Sequence, residues 1–193
     1  MIDNLTETIL FDRVAILGLG LIGGSLAKAM KAAKLVNHIV AFDRDGEQIK
    51  LGLDSGVIDE GCSTCLEAVT GVNLIVVAVP VMAVTSVMEE IKDAINEDVI
   101  VTDVGSVKGY VIDAVAEVFG EVPANFIAGH PIAGSEKHGV AASDASLFRN
   151  HQVILTPLKT SNSIAVAKIE ALWQRTGATV VKMDPAHHDQ VLA

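Results

Sequence analysis

Short apolar runs alternate along this chain with stretches whose apolar residues recur at helical spacing. Arg13–Gly18 (RVAILG) predicts a first strand, and Leu21–Leu35, with Ala, Leu and Lys at helical intervals, predicts the helix after it. His38–Asp43 (HIVAFD) predicts a second strand and Gly46–Leu53 a polar helix. Leu74–Val79 (LIVVAV) is apolar throughout, as a central parallel strand covered on both faces must be. Pro80 then stands where proline can open a helix. Val99–Asp103 (VIVTD) reads as another buried strand and Val107–Phe119 as a helix. Phe126–Gly129, Gln152–Thr156 and Ala178–Lys182 read as further strands, with a helix over Ser161–Thr176 that carries the lone Trp173. Strands alternating with helices of this length build parallel βαβ units, so the expected fold is α/β with a doubly wound, mainly parallel sheet. The last residues, HHDQVLA, read as the first turns of a helix with nothing to pack against, an end that looks cut.

Composition supports that class. Half of the 193 residues are hydrophobic and only 4% aromatic, the Val, Ala, Ile and Leu mixture of β-branched strands and Ala-rich helices. The formal net charge is −10 with no basic stretch, which excludes a nucleic-acid partner. Small anions must therefore be held by local N–H groups or a few placed cations. The start, MIDNLTETILFDR, lacks the order of a signal peptide, and the apolar stretch Val72–Met88 is broken by Asn73, Pro80, Thr85 and Ser86. A cytoplasmic protein without a membrane segment is expected. Cys62 and Cys65 form a C-x-x-C pair. Zinc would need further ligands, and none is obvious nearby. A redox pair at a helix start is open, since Thr64 and Glu67 resemble a capping box. Two small packing residues in a reducing compartment is the preferred reading.

Gly18-Leu19-Gly20-Leu21-Ile22-Gly23 matches G-x-G-x-x-G at a strand end and a helix start. Gly18 allows the tight turn, Gly20 the approach of a pyrophosphate, and Gly23 close packing of helix on strand. The helix start supplies N–H groups and dipole for the phosphates. Asp43, 20 residues after Gly23, stands where a carboxylate accepts bonds from the adenosine ribose and repels a 2′-phosphate, so NAD is expected rather than NADP. Arg44 beside it complicates this, since it can stack on adenine or help to admit a 2′-phosphate. Val77 to Pro80, with Val79 and Pro80 foremost, would line the nicotinamide ribose channel, although plain packing serves these side chains equally well. This is the Rossmann arrangement.

Two segments follow predicted strands on the ligand side of such a sheet, Thr102–Gly109 (TDVGSVKG) and Gly129–Glu136 (GHPIAGSE). His130, between glycine and proline, suits taking a proton from a substrate hydroxyl as hydride leaves. Ser106 could share that hydroxyl, and Lys108 could meet an anionic group. The plainer alternative has Ser106 capping a helix and His130 bonded within its loop. Ser135 and His138 could reach substrate or merely order the loop.

GLGLIGGS, the strand-end Asp43, TDVGSVKG and above all GHPIAGSEKHG resemble the markers of the prephenate dehydrogenase family, which includes arogenate-using relatives. The resemblance covers about residues 11–193. It implies a nucleotide-binding Rossmann domain over residues 13–183, after an extension over 1–12, with 184–193 beginning a helical dimerisation domain that this chain lacks. The reaction it implies is oxidation of the ring hydroxyl of prephenate with loss of CO₂, giving 4-hydroxyphenylpyruvate and NADH in tyrosine biosynthesis, without a metal. By this resemblance His130 is the proton acceptor, Ser106 its neighbour and Glu136 a gate to the substrate cleft. His188 and Asp189 match a His-Asp pair at the domain junction. The family holds the substrate carboxylates with an arginine of the helical domain, so residues 1–193 are expected to bind NAD and turn over poorly. The rivals are a 3-hydroxyacid dehydrogenase, a pyrroline-carboxylate reductase and a non-catalytic NAD sensor.

Overall fold

The computed structural model describes residues 9–134 and 136–192. Six strands, β1 (Phe11–Leu17), β2 (Val36–Phe42), β3 (Glu60–Gly61), β4 (Leu74–Val77), β5 (Ile100–Asp103) and β6 (Phe126–Ile127), form one parallel sheet in the order β3-β2-β1-β4-β5-β6. The reversal beside β1 opens the crevice that binds ligands in such sheets. Helices α1 (Leu21–Ala32), α2 (Gly46–Asp54), α3 (Cys65–Val69), α4 (Val84–Ile91), α5 (Lys108–Phe119), α6 (Ser163–Arg175) and α7 (Pro185–Leu192) complete the fold with a second sheet of β7 (Gly129–Pro131), β8 (Gln152–Leu155) and β9 (Thr179–Lys182).

Alternation along the central strands sorts their side chains into two cores. Val14, Ile16, Leu74 and Val76 face Leu26, Met30, Phe148 and Trp173, while Ala15, Leu17, Ile75 and Val77 face Val84, Val87, Met88 and Val111. Both faces are covered, which is why these strands read as continuous apolar runs. Among the described residues no helix is long and apolar enough to cross a membrane.

Three expectations are corrected. The first strand starts at Phe11, two residues before Arg13. The strand expected over Phe126–Gly129 is two: β6 stays in the parallel sheet, and the chain then turns so that His130 pairs antiparallel with Ile154. Gly129 permits the turn, because a Cβ there would stand 3.1 Å from the Asp103 carbonyl oxygen. Finally, α7 does have a packing partner. It lies on α5, and the Asp189 carboxylate accepts from the N–H groups of Lys108 at 2.8 Å and Gly109 at 2.7 Å. Val107, the residue before α5, offers no side-chain cap, so Asp189 supplies it from a distant part of the chain.

Candidate active site

The glycine turn is built by close contacts. Gly18 has φ +98°, and a Cβ on it would stand 2.5 Å from the Ala78 carbonyl oxygen. At Gly23 a Cβ would come within 2.2 Å of the Gly18 oxygen, so only glycine lets α1 start this close to β1. Nothing lies within 4 Å of where a Gly20 Cβ would be. No side chain caps α1, which leaves its first N–H groups aimed into the open space and suited to an anion.

That space is a cavity of about 750 Å³. Gly18, Gly20, Leu21 and Ile22 form its middle, and Asp43, Arg44, Val79 and Pro80 line it as expected; Gly23 lies behind them in the packing of α1. Asp43 also holds the turn, accepting from Leu19 N–H at 2.7 Å through one oxygen and from Asp45 N–H at 2.9 Å through the other. Each carboxylate oxygen keeps a second acceptor site for a ribose hydroxyl. The segment after β7 closes the outer side, contributing Ala133, Gly134, Lys137, His138 and Gly139. It is pinned where Val140 N–H donates to Gln48 Oε1 at 2.8 Å, while Gln48 Nε2 donates to Asp45 at 3.1 Å. His138 thus faces the cofactor cavity. Ser135 lies outside the described residues.

His130 does not itself line this cavity; it lies on β7, three residues before Ala133, which does. Its Nδ1 is 2.9 Å from Nε2 of His188, whose Nδ1 is 2.7 Å from Asp189 Oδ1. His188 is fully buried. Burial would raise the Asp189 carboxyl, but hydrogen bonds from His188 and from the N–H groups of Gly109 and Lys108 outweigh it and hold it below the usual range. A carboxylate only accepts, so His188 carries a proton on Nδ1, and in its neutral form it offers a lone pair at Nε2. His130 must then donate from Nδ1, which leaves its own Nε2 free to take a proton. Burial first, then the neighbouring His188 and Lys108, push the His130 pKa down to about 4, so the ring is neutral at physiological pH.

Lys108 is not the expected anion receptor. Its side chain is 0% exposed, bonded to the 1%-exposed Asp103 carboxylate and to the Gly129 carbonyl oxygen at 2.6 Å. Burial pulls its pKa down and Asp103 opposes this. Asp103 in turn accepts from Gly129 N–H at 3.1 Å and Gly105 N–H at 2.8 Å. The pair therefore fixes the strand end that presents His130, and no part of the ammonium is left for substrate. Ser106 is exposed on the turn between β5 and α5, two residues past the cavity wall at Val104, and it does not cap α5. Glu136 is exposed on the segment after β7 and is not among the residues lining the cavity.

Both thiols are free, at and just before the start of α3. Thr64 caps α3 by accepting from Glu67 N–H at 3.1 Å, and the Glu67 carboxylate accepts from Ser63 N–H at 2.9 Å. Burial nonetheless raises both thiols, with Cys65 pushed up to about 12, so neither is a ready thiolate. Among the described residues no group of His, Cys, Asp and Glu side chains could hold a metal ion. Three features escaped sequence reasoning: the Asp103 partner of Lys108, the capping role of Asp189, and Cys65 and Glu90 in the cavity wall. Only the first had a local signal, an acid five residues before a lysine.

Residues 26–182 match the family described as "Prephenate dehydrogenase, nucleotide-binding domain". The chain is 37% identical over 183 residues to a prephenate dehydrogenase of Bacillus subtilis, covering 93% of this chain and 48% of that protein. It is 36% identical over 189 residues to a cyclohexadienyl dehydrogenase of Zymomonas mobilis, covering 95% of this chain and 62% of that one. The crystal structure of prephenate dehydrogenase from A. aeolicus in complex with hydroxyphenyl propionate and NAD⁺ superposes with a TM-score of 0.87 at 32% identity, covering 93% of this chain and 62% of that one. The chain thus spans about half to three fifths of the length of these relatives. The glycine turn, the cavity over it and these likenesses together place the chain in the prephenate dehydrogenase family, as its nucleotide-binding domain.

Proposed function

We propose that this chain is the cofactor-binding part of an NAD-dependent dehydrogenase that converts prephenate to 4-hydroxyphenylpyruvate and CO₂. The observation that carries the reading is the chain Asp189–His188–His130, which leaves His130 Nε2 unprotonated beside one end of the dinucleotide cavity. NAD fits this site because the uncapped start of α1 can hold a diphosphate and the Asp43 carboxylate can hold the ribose diol. When bound, NAD supplies the hydride acceptor.

The residues have only two tasks left. His130 Nε2 takes the proton of the ring hydroxyl as the carbon bearing it is oxidised. Loss of CO₂ from the opposite ring carbon then returns an electron pair to the ring and makes it aromatic, and His130 gives the proton back to the phenolic oxygen. Ser106 hydrogen-bonds the same hydroxyl, and Glu136 guards the entry to the substrate side. The two carboxylates of prephenate need arginine forks that residues 9–192 do not place beside His130, because Lys108 is committed to Asp103. That clamp lies in the part of the relatives this chain does not span, where the family resemblance also puts the dimer contact.

The test is NADH formation from prephenate and from arogenate, with NAD⁺ and with NADP⁺, by this chain joined to the part of its relatives that it does not span. NADH from prephenate and NAD⁺, lost on His130→Asn while NAD binding persists, is the expected result. Turnover of arogenate alone would reassign the substrate, and turnover of neither would leave only a dinucleotide-binding fold.

A further inference from the structure

The cavity has two ends of different character. Val104 follows β5, and Ala133 and Gly134 follow β7, the strand of His130; Arg44 follows β2, on the far side of β1 and β4 in the sheet order, together with Cys65 of α3 and with Ala83, Val87 and Glu90 at and in α4, which packs on α3. A dinucleotide whose diphosphate rests on the start of α1, between these ends, must place one base at each. Chemistry at His130 requires nicotinamide at the first end, so adenine falls at the second. We propose that Glu90 selects the adenine base there by accepting a hydrogen bond from its 6-amino group, with the Cys65 thiol beside the carboxylate. This rests on the NAD reading above and adds a specificity residue to it.

The chemistry of this end matches a 6-aminopurine. Ala83 and Val87 offer an apolar wall and Arg44 a guanidinium, a pairing that suits a flat aromatic base. Glu90 lies in the last turn of α4, exposed to solvent, so nothing in the core requires an acid there. Yet its carboxylate is near enough to the buried Cys65 at the start of α3 to raise that thiol, and both residues line the cavity. Burial first and Glu90 second raise that thiol to about 12, so at neutral pH it is a thiol and not a thiolate. A carboxylate is an acceptor only. Adenine presents N–H donors at its 6-position, whereas hypoxanthine presents a carbonyl oxygen whose lone pairs oppose those of the carboxylate. One thiol of the C-x-x-C pair thus stands beside the acid that reads the base.

The test compares calorimetric binding of NAD and of nicotinamide hypoxanthine dinucleotide to residues 1–193 of the wild type, Glu90→Ala and Glu90→Gln. A site built to accept an N–H rejects the analogue without it, and for this solvent-facing contact a preference for NAD of about tenfold is expected in the wild type. It should fall to within about twofold in Glu90→Ala, through weaker NAD binding. Glu90→Gln should move the ratio towards hypoxanthine, since its amide can donate to the carbonyl. An equal preference in the wild type and Glu90→Ala would overturn the role of Glu90 while leaving NAD binding intact. Failure of the wild type to bind NAD would overturn the cofactor reading and this inference with it.

Discussion

Acid should strip stability from this protein through one imidazole. His130 falls from 6.5 to about 4 on folding because it is partly buried and faces His188 and Lys108. The folded state therefore excludes a proton that the unfolded chain accepts. The full stability is present above about pH 6.5 and is lost as pH falls towards 4. Each pH unit in that window is worth about 1.4 kcal/mol for one group, which sets a ceiling of about 3 kcal/mol. His130 keeps part of its surface in solvent, and screening reduces the expected loss to about 2 kcal/mol. Urea unfolding between pH 7.5 and 4.5 measures it, with His130→Asn as the chain that lacks the group. The wild type should lose about 2 kcal/mol more than the variant across that range, and NMR of the His130 ring nitrogens should show a neutral ring protonated on Nδ1 at pH 7. Parallel stability curves, or a His130 titration near 6.5, would refute the reasoning.

Three further outcomes follow from the same contacts. Gly23→Ala should abolish NAD binding in calorimetry, because its Cβ would press on the Gly18 carbonyl at 2.2 Å and push α1 off the turn. Lys108→Met leaves the Asp103 carboxylate buried and unpaired, and should cost about 3–5 kcal/mol in urea unfolding, partly recovered in the Lys108→Met, Asp103→Asn double variant. Iodoacetamide at pH 7.5 should label Cys65 far more slowly than an unfolded control, since its thiol is held at about 12 and buried; mass spectrometry of the trypsin digest reads this directly.

What was legible in the sequence is what depends on near neighbours. The parallel sheet shows itself because strands covered on both faces are uniformly apolar, and the phosphate turn because six consecutive residues build it. The turn after β6 was not legible: Phe126–Gly129 has the texture of one strand, and only the Asp103 carboxylate and the Ala128 carbonyl, which accepts from Thr156 N–H at 3.0 Å, show where the chain leaves the sheet. Lys108 was misread for a related reason. A lysine in a loop near that of His130 reads as a free cation until the loop is folded, and folding places Asp103 against it. Cys65 and Glu90 lie on different helices, so their contact has no signature in spacing.

Asp189 carries this furthest, because one carboxylate joins the helix that follows β5 to the histidine that follows β6. Its Oδ1 accepts from both Lys108 N–H and His188 Nδ1, and its Oδ2 from Gly109 N–H. Asp189→Ala should therefore do two things: uncap α5, at about 1–2 kcal/mol, and free His188 to protonate on either nitrogen. His188→Asn breaks only the second. If the tautomer of His130 is set along this chain, both variants should lose turnover in the protein joined to the part of its relatives that it does not span, by about tenfold or more, and both should disturb the His130 ring-nitrogen signals at pH 7. Only Asp189→Ala should also lower the urea midpoint by the value of a lost cap. Loss of activity in step with loss of stability, with His188→Asn leaving both untouched, would reduce Asp189 to a helix cap and return the choice of tautomer to the substrate.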